Sequence, residues 1–84
     1  FNQDLSCWDV SNVTNMEGMF KSAISFNQDI SRWNVSKVKN MVEMFNGCES
    51  FNQDISSWNV SKVRDWRYMF LSCQLPEEYQ PKFK

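Results

Sequence analysis

The chain writes one phrase three times. "FNQDISRWNVSKV" starts at Phe26, "FNQDISSWNVSKV" starts at Phe51 with twelve of thirteen letters unchanged, and "FNQDLSCWDVSNV" opens the chain at Phe1. The three starts are 25 residues apart, with no insertion or deletion between them. A fixed period of this length signals a stacked repeat array. It divides the chain into units 1–25, 26–50 and 51–75, followed by a tail, 76–84, that leaves the pattern. One unit alone holds too little apolar surface to fold. Stacking lets neighbours share apolar faces and backbone hydrogen bonds. Because the first letter is already in phase with the repeat, the chain is expected to be an excerpt of a longer one.

Two periodicities lie inside each unit. From Val13 onward, Val13, Met16, Met19, Phe20 and Ala23 fall within an arc of about 120° on a helical wheel, which predicts a helix with one buried face. Ser11, Ser36 and Ser61 stand where its N-cap belongs. Thr14, Lys39 and Arg64 occupy the place of the Glu or Gln that completes a capping box. Before the serine, Trp8 and Val10 alternate with Cys7 and Asp9, the period of a short strand with one buried face. Leu5, Trp8 and Val10 have the L-x-x-L-x-L spacing of a leucine-rich repeat, as do Ile30, Trp33, Val35 and Ile55, Trp58, Val60. The expected fold class is therefore α/β: a right-handed, leucine-rich-repeat-like solenoid with one short parallel strand and one helix per 25-residue repeat.

The string "FNQDISSWNVSKV" followed, in the second unit, by "NMVEMF" resembles the repeat of the BspA-like leucine-rich repeat superfamily, in its mycoplasma-lipoprotein branch. The resemblance covers residues 1–75; the third unit departs at Trp66, where Met16 and Met41 stand in the others. It implies a cell-surface or secreted protein engaged in adhesion or host interaction, with a protein partner. The repeat itself is scaffold, so the likeness speaks to architecture before function.

Residues that recur in every unit are explained first by the fold. Trp8, Trp33 and Trp58, with Phe20, Phe45 and Phe70, are assigned to the core, where each buried indole N–H requires an acceptor. The alternative is a carbohydrate- or other regular-surface-binding module built from the repeated Trp, Asn and Asp columns. Ice recognition would call for a row of threonines, and Thr14 is the only one. Asp4, Asp29 and Asp54 read as turn-capping carboxylates. A calcium ladder would require more oxygens than one carboxylate per turn supplies. Asn2, Asn27 and Asn52 read as an amide ladder. Cys48 and Cys73 share the small buried slot of Ala23, while Cys7 stands alone where the other units carry Arg32 and Ser57. With no histidine and no C-x-x-C, neither a zinc site nor a serine nucleophile with an imidazole base can be assembled. No cofactor and no catalytic residue is expected.

Function is sought in what differs between units. The formal charges are -2 for residues 1–25, three acids against one base, and +1 for 51–75, three bases against two acids. The near-neutral total gives no electrostatic case for nucleic acid, and no apolar run reaches the roughly 18 residues of a membrane span. The outward columns Thr14, Lys39, Arg64; Glu17, Val42, Arg67; Gly18, Glu43, Tyr68; and Lys21, Asn46, Leu71 gain basic and apolar character along the array. Arg64, Arg67, Tyr68 and Leu71 are therefore the candidate partner face. Pro76 and Pro81 remove donors that a further strand would use, so the tail is expected to cap the third unit with Leu75, Tyr79 and Phe83.

Overall fold

Each repeat is a chain of hydrogen-bonded turns laid on the next repeat. The computed structural model describes residues 5–83; Asn2 and Asp4, assigned above to an amide ladder and a turn cap, lie outside the described residues. Among the described residues there is no α-helix and no β-strand. Among these residues the one regular element is a 3-10 turn, Glu77–Tyr79, and the strand-like pairings are isolated parallel bridges from Asn15 to Asn40 and from Asn40 to Asp65. The expected leucine-rich-repeat-like solenoid of one strand and one helix per repeat is thus not what this chain forms. The molecule is compact, with extents of 27 × 26 × 21 Å.

The helix expected from Val13 fails for a reason visible in the backbone. Gly18, Glu43 and Tyr68 have φ of 63°, 57° and 58°, and Ser22, Gly47 and Ser72, four residues further on, have 63°, 79° and 58°. A left-handed residue at every fourth position cannot belong to a right-handed helix. It instead supplies the third position of a type II turn. Met19 and Ala23 accordingly bond back to the carbonyls of Met16 and Phe20 at 3.2 and 3.0 Å, and the later repeats do the same. The apolar spacing of three and four that suggests a helix is also the spacing of consecutive four-residue turns, so Met16 and Phe20 are buried without one.

The strand expected at Trp8 and Val10 is replaced by two turns. Trp8 N–H bonds to Leu5 and Val13 N–H to Val10, both at 3.0 Å, with equivalents at Trp33, Val38, Trp58 and Val63. The serines expected as helix N-caps donate rather than accept. The N–H of Ser11, Ser36 and Ser61 bonds to the side-chain oxygen of Asp9, Asn34 and Asn59 at 3.0–3.1 Å. These are Asx turns, the local device that makes Asn and Asp poor helix interiors.

What joins the repeats is a ladder of alternate peptides. Met16, Gly18, Phe20 and Ser22 donate to the carbonyls of Asn40, Val42, Met44 and Asn46 at 2.6–2.9 Å. Met41, Glu43, Phe45 and Gly47 donate in turn to Asp65, Arg67, Met69 and Leu71 at 2.9–3.0 Å. The stacking places Phe20, Phe45 and Phe70 in one column with centroids 5.7 Å apart, and Phe26 over Phe51 at 5.5 Å. Phe20 meets Phe26 at 4.1 Å and Phe45 meets Phe51 at 4.4 Å, which ties the two columns into a single aromatic core.

Candidate interaction surface

The recurring residues are largely used up in holding the turns together. Trp33 and Trp58 are buried, and their indole N–H groups donate to the carbonyls of Leu5 and Ile30 at 3.0 and 3.1 Å. Neither offers a face on which a sugar ring could stack. Trp8, assigned above to the core, is instead 49% exposed, because no described layer lies over the first repeat as that repeat lies over Trp33. Phe20 and Phe45 are buried and Phe70 is half-buried.

Asp29 and Asp54 each receive both the N–H and the hydroxyl of the serine two residues on, Ser31 and Ser56, at 2.6–3.0 Å. The serine hydroxyl first, then the serine amide, holds both carboxyls below their ordinary value. Asp9 is held down by Ser11 in the same way. One oxygen of each carboxylate is therefore committed to a turn. Among the described residues no group of three or more His, Cys, Asp or Glu is placed to hold a metal ion. Asn27 accepts the Asn52 N–H at 2.9 Å and a Gln53 amide N–H at 3.0 Å, linking repeats two and three through side chains.

The cysteines are free thiols: Cys7 exposed, Cys73 half-buried, Cys48 buried. Cys48 donates to the Phe20 carbonyl at 2.9 Å, and burial, with Cys73 nearby, pushes its pKa up to about 11. Such a thiol is not a nucleophile at neutral pH.

The residues of the expected partner face stand on the outer side of the third repeat. Tyr68 and Leu71 are 63% and 55% exposed and close one turn, with Leu71 N–H bonding to the Tyr68 carbonyl at 3.3 Å. The left-handed conformation of Tyr68 belongs to this same strip of turns. Arg67 does not point freely into solvent, since its guanidinium grips both oxygens of Asp65 at 2.9–3.2 Å. That contact raises the Arg67 pKa and lowers that of Asp65. Arg64 is exposed at the head of the strip, its own N–H bonded to the Lys39 carbonyl at 2.8 Å. The structure thus brings Tyr68 and Leu71 together, leaves Arg67 paired beside them and sets Arg64 before the turn.

Sequence comparison places the repeat. The chain belongs to the family described as "Mycoplasma protein of unknown function, DUF285". The match covers residues 1–81. Comparison with curated proteins and with solved structures finds no match. The family description names no activity, which leaves the surface chemistry to speak for function. No helix among the described residues is long and apolar enough to cross a membrane.

Two surface features were not legible from side-chain patterns. One is an apolar end on the first repeat, where Trp8, Met19 and Ile24 are 49%, 37% and 58% exposed and a shallow cavity opens between Trp8, Met19, Phe20 and Ala23. The other is a row of backbone amides on the third repeat. The N–H groups of Trp66, Tyr68, Phe70 and Ser72 occupy the positions that donate across the ladder in repeats one and two, and they meet no acceptor among the described residues. The signal for the second feature was the repeat itself: each position that donates to the next unit must, in the last unit, face outward.

Proposed function

We propose that the chain is a non-catalytic structural and protein-interaction repeat module of a surface or secreted protein, serving adhesion. The observation that carries this reading is the exposed Tyr68 and Leu71 pair, set on a turn that backbone hydrogen bonds hold in place. An aromatic and an aliphatic side chain beside arginine have the composition of a protein-binding patch. The repeated polar groups support the same reading from the other side: among the described residues, asparagines, aspartates and serines are spent on Asx turns. The surface location comes from the resemblance to mycoplasma surface repeats.

The test immobilises the chain and measures retention of cells before and after protease or glycosidase treatment. Tyr68→Ser with Leu71→Ser should abolish retention with the thermal melt unchanged, and protease treatment of the cells should do the same. Retention unaffected by the double variant would place recognition elsewhere; sensitivity to glycosidase alone would favour a carbohydrate ligand.

A further inference from the structure

One face of the stack changes sign from repeat to repeat. In the first repeat it carries Asp9, Asn12 and Thr14, a formal charge of -1. At the same positions the second repeat carries Asn34, Lys37 and Lys39, and the third Asn59, Lys62 and Arg64, a charge of +2 each. All four cations are exposed. The residue between the two cations of each repeat, Val38 or Val63, is buried, so the cations on either side of it share one outer surface. Lys39 N–H bonds to the Thr14 carbonyl at 2.7 Å, and Arg64 N–H bonds to the Lys39 carbonyl at 2.8 Å. That register sets Arg64 beside Lys39 and Lys62 beside Lys37. The result is a two-by-two array of positive charge, its rows one backbone spacing, about 5 Å, apart.

Among the described residues this charge is not neutralised. The salt bridges spend Lys21 on Glu43 and Arg67 on Asp65. The side chains of Lys39, Lys62 and Arg64 enter no hydrogen bond or ion pair among the described residues, and Lys37 reaches the uncharged oxygen of Asn12 at 3.1 Å. An open hollow of about 430 Å³ is lined by Lys39, Lys62 and Arg64, with Ser61 and Val63 and no acid. The turn beneath it is held by a neutral group, the Asn59 side-chain oxygen, where the first repeat uses the Asp9 carboxylate. Asp9 also takes the Ser11 hydroxyl, at 2.6 Å, whereas the Ser61 hydroxyl in the hollow has no such partner among the described residues.

We propose that this surface binds a sulfated polysaccharide, with Lys37, Lys39, Lys62 and Arg64 facing its sulfates and the Ser61 hydroxyl beside them. The site goes beyond the protein-binding reading and uses neither Tyr68 nor Leu71. The lining selects the ligand. Single-stranded nucleic acid calls for an aromatic on which bases stack, and a lipid surface for an exposed apolar anchor; the hollow has neither, since Val63 is buried. A protein partner buries aromatic and apolar side chains at the centre of its contact, where lysine is depleted. Exposed point charges and a hydroxyl suit a ligand that is itself hydroxylated and carries oxyanions at intervals.

Binding of residues 1–84 to immobilised heparin, followed against salt, tests this. Four cations predict an affinity that falls about fiftyfold between about 50 and 200 mM salt, by the counterion-release rule for linear polyanions. Lys39→Gln with Lys62→Gln should lower the affinity about tenfold or more at the lower salt, with the thermal melt unchanged because both residues are exposed. Lys21→Gln with Arg32→Gln removes the same formal charge away from the array and should change the affinity less than about twofold. Asn12→Lys with Thr14→Lys extends both columns into the first repeat and should tighten binding. The proposal is overturned if the chain is not retained at the lower salt, if the two charge-removing variants lose affinity equally, or if single-stranded DNA, anionic phospholipid vesicles or polyglutamate bind as tightly as heparin. Cell retention that depends on Tyr68 and Leu71 in a chain that ignores heparin would remove this site and leave the interaction module standing.

Discussion

The indole N–H of Trp33 and the backbone N–H of Trp8 converge on one oxygen, the Leu5 carbonyl, each at 3.0 Å. One bond closes a turn within the first repeat and the other crosses from the second. The same oxygen thus fixes a local shape and the register of the stack. Trp58 and Trp33 share the Ile30 carbonyl in the same way, at 3.1 Å each.

Truncating the middle tryptophan should be the more damaging change. Trp33→Ala is expected to lower the unfolding free energy by about 3–5 kcal/mol, the usual cost of removing a large buried aromatic. Trp33→Phe keeps most of the buried ring and loses the donor, and should cost about 1 kcal/mol in addition to its packing change. Trp8→Ala, at a residue that is 49% exposed, should cost about 1 kcal/mol or less. Urea melts of the three variants measure these differences. Equal losses for Trp8→Ala and Trp33→Ala would mean that the link between repeats contributes nothing.

The glycines distinguish turns from helix by the sign of an effect. In a helix, Gly18→Ala would stabilise by about 1 kcal/mol. Here Gly18 is left-handed, with φ of 63°, so an alanine should destabilise by about 1–2 kcal/mol, although its Cβ would meet nothing nearer than 3.9 Å. Gly47→Ala should cost more, since its Cβ would also lie 3.4 Å from the Ser22 backbone. A rise in melting temperature for Gly18→Ala would restore the helix.

The period and the identity of most inward residues were readable in the sequence, because both follow from which side chains recur. Leu5, Ile30 and Ile55 are fully buried, as are Val38 and Met41. The secondary structure was not readable, for a physical reason. Met16 and Phe20 are four apart whether the chain winds at 3.6 residues per turn or closes one four-residue turn after another. Only the hand of the backbone at Gly18 and Ser22 separates the two, and Glu43 and Tyr68 show that no glycine need mark it. The Asx turns were half visible. The sequence marks Asp29 and Asp54 as turn caps, as the structure has them, whereas the acceptor role it suggests for Ser11 is performed by the neighbouring Asp9. The candidate face gave its side chains to sequence reading, but the amides of Tyr68, Phe70 and Ser72 have no letter of their own.

The turn carboxylates give stability a direction with pH. Asp9, Asp29 and Asp54 are held below the ordinary 3.8 by their serine hydrogen bonds, and Asp65 by Arg67. A depressed folded pKa stabilises the fold above the unfolded value, and that contribution is lost as pH falls through the folded value. The melting temperature should therefore be flat well above 3.8 and decline below it. Asp9, Asp29 and Asp54 are exposed and Asp65 is half-buried, so the decline should be modest. Asp29→Asn with Asp54→Asn should flatten it, because Asn34 and Asn59 hold equivalent turns with an uncharged oxygen. A melting temperature that falls just as steeply in the double variant would move the acid sensitivity to other groups.

The tail should behave as part of the fold. Leu75 is buried, its carbonyl accepts the Gln80 side-chain N–H at 2.9 Å, and Tyr79 closes on Ile55. Pro81 is buried as well, at a place where no amide hydrogen bond is required of it. Leu75→Ala should cost about 2–5 kcal/mol. Phe83→Ala, half-buried against Trp66, should cost about 1 kcal/mol. Amide hydrogen exchange locates the effect, because the Ile55 N–H depends on the Tyr79 carbonyl while the Trp58 N–H is bonded within its own repeat to Ile55. Phe83→Ala should therefore speed exchange at Ile55 more than at Trp58. Equal protection at Ile55 in parent and variant would mean that the Tyr79 contact holds without the aromatic stack, and that residues 80–83 are only a linker.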